Sequence, residues 1–370
     1  MSRSSESRAR CGELETRHGT VETPIFMAVG TRGSVKGLTP QQLREAQVRM
    51  VLANTYHLLA RPGPEVVEAL GGLHRFMGWD GPILTDSGGY QVFSLAGLRR
   101  ISDDEVEFAS HIDGARIRLS PASATRVQNQ LGADIIMAFD ECVSLPCEPK
   151  RLRESVDRTV RWAGLSQAAH ERDDQWMFGI VQGGIDKALR SDCSEQLKQL
   201  NFPGYAIGGL SVGESHEDMM ATVEHTAALL PAEKPRYLMG VGTPRDLVKA
   251  IGLGIDMFDC VLPTRNGRNA FAFVHGGGMK LRNEKYKTDD RPLDEQCDCY
   301  TCRNFSRGYI RHLILVKEMT GPILVSLHNL AFYQWLMDET RTAIREDRFG
   351  EWASQWDVKE QYHQEDNFEY

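Results

Sequence analysis

Short apolar runs recur along the chain, each stopped by glycine, proline or a polar turn, at 24–30, 50–56, 82–87, 134–140, 177–182, 205–210, 236–242 and 257–262. Most are continuously hydrophobic rather than alternating, as in PILTD, DIIMAFD and FGIVQ, which is the pattern of parallel strands covered on both faces. Between them, 39–46, 151–172, 187–200, 216–230 and 244–252 read as helices. Eight strands alternating with helices predict an α/β fold, a (β/α)8 TIM-type barrel with insertions. One insertion is expected at 108–119, FASHIDGARIRL, where Asp113-Gly114 sits between strand-like arms in the manner of a β-hairpin. Another follows the eighth run, from 266 through Gly276-Gly277-Gly278 into a cysteine cluster ending near 303. The stretch 323–345, rich in Leu, Ala, Glu and aromatic residues, predicts a helix that closes the barrel, and beyond about Asp357 a charged tail is expected to fray.

Composition narrows the classes. A chain of 370 residues with 41% hydrophobic and 25% charged residues has core enough for a large barrel and is excluded from the disordered class. No run approaches the roughly 18–20 apolar residues of a membrane span. The first ten residues are polar and carry Arg3, Arg8 and Arg10, unlike a secretory signal, so a cytoplasmic protein without membrane contact is expected. Eight cysteines then suggest reduced thiols or a metal rather than a disulfide scaffold. The net charge of −8 opposes nucleic-acid binding, but residues 264–287 carry three arginines and three lysines against the single acid Glu284. Charge alone leaves that segment open as a solvated loop or a polyanion site.

Candidate chemistry gathers at strand ends. Asp86 follows ILT, Asp140 follows IIMAF, Gln182 follows GIV, Gly208 and Gly209 follow YAI, and Asp259 follows MF. A single aspartate after a strand is ordinarily a helix cap or turn residue. Five strand ends aimed at the C-terminal face of one barrel form a site. Two carboxylates, Asp86 and Asp259, are the minimum set for cleaving a glycosidic bond, and Asp140 with Gln182 suits the edge of a planar base such as guanine. Ser87, Gly88, Gly89 and Tyr90 would let a flat ligand approach backbone while Tyr90 stacks on it. Cys297-x-Cys299-x2-Cys302, with His328 after 25 intervening residues, offers the ligand set of a closed tetrahedral zinc site, one structural Zn2+ per subunit. His312 is the other histidine near enough to serve. The expected organisation is a barrel over 1–265, a basic zinc-binding subdomain over 266–335 and a closing helix and tail over 336–370.

The segments NTYHL from Asn54, TDSGGYQVFSL from Thr85, FDEC from Phe139, VQGG from Val181, GGLSVGE from Gly208, YLMGVGTP from Tyr237, FDCVLPTRNGRNA from Phe258 and CDCYTC from Cys297 resemble the bacterial tRNA-guanine transglycosylase (queuine tRNA-ribosyltransferase) family over nearly the whole length. The resemblance implies a pentosyltransferase of queuosine biosynthesis. It would exchange the wobble guanine of tRNAs with a GUN anticodon for 7-aminomethyl-7-deazaguanine, through a covalent aspartyl–ribosyl intermediate. The nucleophile falls on Asp259 and the acid/base residue on Asp86. Base recognition falls on Asp140, Cys142, Gln182, Gly208, Gly209 and Leu210, with stacking by Tyr90 and Met239. Anticodon contacts fall on Gly240, Val241, Gly242, Thr243, Pro244, Arg245 and Asp246, and on Thr264, Arg265, Asn266, Gly267 and Arg268. Cys142 and Val212 match the bacterial pattern; a branched residue at 212 would obstruct the cyclopentenediol arm of queuine, and the aminomethyl ammonium would meet the Leu210 carbonyl and Glu214. The resemblance also implies a homodimer acting on the tRNA anticodon stem-loop. The competing readings are a DNA-modifying or non-catalytic relative, a barrel glycoside hydrolase, and a zinc-stabilised RNA-binding module. The paired aspartates and the basic TRNGR segment favour the tRNA enzyme over each.

Overall fold

A computed structural model of the chain describes residues 2–91, 99–110, 112 and 114–357. The 92–95 end of the TDSGGYQVFSL stretch, Asp113 and the tail beyond 357 lie outside these residues. Eight strands close in chain order into one parallel barrel: β1 Ile25–Val29, β2 Val51–Ala53, β3 Ile83–Thr85, β4 Ile135–Met137, β5 Trp176–Val181, β6 Gly204–Ile207, β7 Arg236–Leu238 and β8 Met257–Cys260. Closure is made by β8 on β1, with Met257 opposite Ile25 and Cys260 opposite Ala28. The expected barrel is therefore present, and its continuous apolar runs have a physical cause. Met27, Leu52, Leu84, Met137, Ile180 and Met257 fill the bore. Their neighbours Phe26, Val51, Ile83 and Ile136 face the helical layer, so both sides of the sheet are dry.

The helices Pro40–Glu45, Pro149–Ala168, Lys187–Gln199, His216–Leu229 and Pro244–Gly252 occupy the predicted segments. Several start at sharp N-caps: Thr39 and Thr243 each form a capping box, and Asp186 accepts from the N–H groups of Ala188 and Leu189. The insertion after β3 is a three-stranded antiparallel sheet, Arg99–Ile101, Val106–Ala109 and Arg116–Leu119, so the expected hairpin gains a third strand. Its Val106, Phe108 and Leu119 pack on Tyr56, Phe139 and Trp162 at the barrel rim.

An N-terminal hairpin, Arg10–Thr16 paired with Gly19–Thr23, plugs the opposite end by setting Leu14 and Val21 into the bore cluster. It is not among the continuous apolar runs, because ELET and TVET alternate about an Arg17-His18 turn. His18 Nδ1 and His74 Nε2 meet the two carboxylate oxygens of Asp134 at 2.7 and 3.1 Å, and Asp134 also accepts the Ile83 N–H at 2.8 Å. The hairpin turn is thereby tied to the starts of β3 and β4.

After β8 come the helix Leu262–Arg268, an antiparallel ribbon of Phe271–Val274 and Gly277–Lys280, and the long helix Thr320–Arg345. Buried Asn329 on that helix donates to the carbonyls of Pro263 and Phe271 and accepts the Phe273 N–H, each at 2.9 Å. Gln334 of the same helix donates to the Phe26 carbonyl of β1 at 3.1 Å. One element thus fastens ribbon, post-β8 helix and barrel, and it runs unbroken through residue 335.

Candidate active site

The C-terminal strand ends surround one cavity of about 460 Å3, lined by Asp86, Asp140, Gln182 and Asp259 together with Ser87, Gly88, Tyr90, Cys142, Gly208, Gly209, Leu210, Val212, Tyr237 and Met239. Asp86 leaves β3 and is held by β2: the Thr55 N–H donates to its Oδ1 at 2.9 Å, Gly88 N–H to the same oxygen at 3.2 Å, and Asn54 Nδ2 to Oδ2. Burial pushes its carboxyl up to about 7, with the charges of Asp259 and Asp140 adding and the Thr55 and Gly88 N–H groups opposing. Asp259, at the end of β8, takes the Tyr237 hydroxyl at 2.6 Å and the Gly240 N–H at 2.8 Å, both on Oδ1. Burial raises its carboxyl while those two donors hold it down. Burial beside Asp259 drives the Tyr237 phenol well above its ordinary range, so it remains a donor.

The second pair is Asp140 with Gln182. Ser87 Oγ donates to Asp140 Oδ1 and Gln182 Nε2 to Oδ2, both at 2.7 Å, and burial raises the Asp140 carboxyl. Gly89 does not line the cavity. Its N–H donates to Ser87 Oγ at 3.1 Å, and a Cβ there would come 2.6 Å from the Asp140 carbonyl, so it packs behind Asp140. Buried Cys142 has its thiol pushed up to about 12 by burial and adjacent carboxylates, which makes it wall rather than nucleophile. Glu214 accepts the N–H groups of Ser211 and Val212, fixing the loop after Leu210.

Gly240, Val241, Gly242, Thr243, Asp246 and Arg265 reach the cavity mouth; Pro244 and Arg245 begin the helix behind it. Thr264, Asn266 and Gly267 sit on the inner face of the helix Leu262–Arg268. They are buried against Thr320–Arg345, and a Cβ on Gly267 would lie 2.7 Å from the Ser326 Cα, which explains the glycine. Arg265 and Arg268 remain half-buried on the other side of that helix. The residues that sequence reasoning left without a role are Asn54, Thr55 and Tyr237. The first two stand in the quoted NTYHL motif, but only the fold sets them on Asp86.

At the ribbon, Cys297, Cys299, Cys302 and His328 converge, and the other candidate, His312, is absent from the cluster. His328 Nε2 faces the Phe273 carbonyl at 2.7 Å, an acceptor only, so that nitrogen carries the proton and Nδ1 offers a lone pair. Nδ1 lies 3.3, 3.6 and 3.7 Å from the Cys302, Cys299 and Cys297 sulfurs. Zinc–sulfur and zinc–nitrogen bonds of about 2.3 and 2.0–2.1 Å at a tetrahedral centre require a separation of about 3.6 Å, so the four residues fit a metal. With four protein ligands the centre is closed to substrate.

A family model described as queuine tRNA-ribosyltransferase matches residues 5–362. The chain is 53% identical over 346 residues to the queuine tRNA-ribosyltransferase of Desulforamulus reducens, covering 94% of both chains. It is 55% identical over 340 residues to that of Pelotomaculum thermopropionicum, covering 92% of both. Among the described residues no helix is long and apolar enough to cross a membrane.

The Asp86 carboxyl titrates near 3.8 when unfolded and about 7 in the fold. Between those values only the native state holds the proton, so its contribution to stability is full below pH 4, declines with rising pH by up to about 1.4 kcal/mol per unit, and is constant above 7. Urea unfolding should accordingly show Asp86→Asn gaining on the wild type from pH 4 to 7; a pH-independent difference would show Asp86 to be an ordinary acid. Metal analysis should find about one equivalent per chain. Cys302→Ala should lose it, and retention of metal in that variant would remove Cys302 from the ligand set.

Proposed function

The chain belongs to the queuine tRNA-ribosyltransferase family, the tRNA-guanine transglycosylases, and is therefore a pentosyltransferase; on that footing we propose that it exchanges the wobble guanine of GUN-anticodon tRNAs for 7-aminomethyl-7-deazaguanine in queuosine biosynthesis. The observation that carries this reading is the presence of Asp86 and Asp259 in one cavity with the Asp140–Gln182 pair. Asp259 attacks the ribose anomeric carbon with Oδ2, the oxygen that Tyr237 and Gly240 leave unbonded, and the bond to guanine N9 breaks. Asp86, poised near neutrality, gives its proton to the departing N9 and takes one from N9 of the incoming base. That nitrogen then displaces Asp259, and two inversions retain configuration.

Asp140, Gln182 and the backbone at Gly208, Gly209 and Leu210 read the base edge, with Tyr90 and Met239 on its faces and Ser87 and Gly88 behind. The wobble base must leave its stack to reach them. Arg265 and Arg268 supply the anticodon loop with charge. Burial and then its neighbour Arg265 hold the Arg268 guanidinium below its usual range, a repulsion that a phosphate between them would relieve. The metal is zinc, in keeping with three thiolates and an imidazole, and its part is structural. Tyr300, Tyr309, Leu315, Val316 and Met319, exposed on successive elements of the metal-bearing region, suit a homodimer.

Exchange of radiolabelled guanine into unmodified tRNA tests the reading. Asp259→Ala should abolish incorporation, and Asp86→Asn should cripple it while still binding tRNA; incorporation persisting in Asp259→Ala refutes the nucleophile. Val212 lines the cavity where the base substituent would project, so Val212→Gly should admit queuine. No gain in queuine exchange would show that the branched side chain does not set base size.

A further inference from the structure

Arg190 lies in the first turn of the helix Lys187–Gln199, directly after the loop that carries Gln182, and its side chain is wholly buried. Its Nε donates to the Gly184 carbonyl and its Nη1 to the Val181 carbonyl, both at 2.8 Å, and Nη2 reaches the Gly209 carbonyl at 3.4 Å. Val181 and Gly184 bracket Gln182, whereas Gly209 belongs to the next strand's loop, so one planar guanidinium spans two walls of the base pocket. Among the described residues its hydrogen-bond partners are these carbonyls and no carboxylate, and burial pulls it down to about 10 against the weaker opposing effects of Cys193, Cys142 and Glu214. A buried cation satisfied by backbone carbonyls alone is costly to keep, and a core of apolar side chains would be the cheaper filling.

The carbonyls that Arg190 holds fix the group between them. A Cβ at Gly208 would come 2.9 Å from Gln182 Nε2, and one at Gly209, where φ is +65°, would land on Gln182 Oε1. The Gln182 amide is thus confined by β6-loop backbone on one side and bonded to Asp140 at 2.7 Å on the other. A shift of either loop misaligns the amide with the Gly209 backbone. We infer that Arg190 is a positioning residue for base binding: its guanidinium holds the end of β5 and the Gly208-Gly209 turn at the separation where the Gln182 amide and the Gly209 backbone meet one flat base edge. The inference rests on the proposed role of Gln182 and Gly209 in base recognition. Lysine, a point charge without the planar fork, cannot hold three carbonyls in this arrangement.

The test is initial-rate guanine exchange at saturating tRNA for the full-length wild type, Arg190→Met, Arg190→Lys and Gln182→Ala, with tRNA affinity measured separately by fluorescence anisotropy. Arg190→Met should raise KM for guanine by about tenfold or more with tRNA affinity unchanged, and Arg190→Lys should fall between it and the wild type. A wild-type KM in Arg190→Met, or parallel loss of KM and tRNA affinity, overturns the inference. If Arg190→Met does not fold, Arg190→Lys decides alone, a raised KM with intact tRNA binding supporting the inference and an unchanged KM overturning it. Gln182→Ala separates the two levels. An unchanged KM there removes the pocket reading and this inference with it, whereas a raised KM there with wild-type values in the Arg190 variants removes this inference only.

Discussion

Two carboxylates cannot both ionise cheaply in one dry cavity, and the rim of this barrel is arranged around that constraint. Asp86 and Asp259 come from strands far apart in sequence, yet each is raised by burial and Asp259 raises Asp86 further. The fold resolves the conflict asymmetrically. Asp259 receives a phenol and a backbone N–H on a single oxygen, which favours its anion. Asp86 receives backbone donors too, but burial outweighs them and the charges of Asp259 and Asp140 add to it, which leaves it near 7. The proposed exchange at an anomeric carbon calls for such a difference, an attacking carboxylate at Asp259 and a proton carrier at Asp86.

The same economy governs the region after β8. The short helix Leu262–Arg268 has to lie close to Thr320–Arg345, and Gly267 permits it; the contact buries Thr264 and Asn266 and leaves Arg265 at the cavity mouth, with half-buried Arg268 one turn on. Asn329 then couples that helix to the ribbon by three hydrogen bonds, and His328, the neighbouring residue, reaches the cysteines. A metal bound there therefore stiffens the support of Arg265 and Arg268 without any ligand entering the cavity. The zinc-type cluster and the basic segment, unconnected in composition, are mechanically one unit.

Much of this was legible in the sequence. The eight strands could be read because a doubly covered parallel strand must be apolar on both faces, so DIIMAFD or PILTD admits few other structures. The metal cluster was legible because its ligands are crowded, and the strand-end acids because a barrel sends strand ends to one face. What escaped was everything that depends on a neighbour in space. Asn54 and Thr55 act on Asp86 only because β2 lies beside β3. Tyr237 reads as one more core aromatic until β7 is set against β8. Arg190, in a helix dense with polar residues, looks solvated from its own segment. Which positions of TRNGR turn inward was not legible either, because packing on the long helix decides it.

The two ends of the barrel treat aspartate in opposite ways, and the contrast separates structural acids from chemical ones. At the strand starts, Asp256 is clamped bidentately by buried Arg10, at 2.9 and 2.6 Å, and also accepts the Arg236 N–H at 2.8 Å. Asp134 is pushed up by burial, but His74, the Ile83 N–H and His18 outweigh that and bring it below its ordinary value. At the strand ends, the hydrogen-bond partners of Asp86, Asp140 and Asp259 among the described residues are neutral donors, and all three stay raised. Pairing a floor carboxylate with a cation stabilises the fold and silences the group. Withholding the cation at the rim leaves a carboxylate that can accept a proton or attack carbon, at an expense in stability that the clamped floor and the plugged bore help to offset.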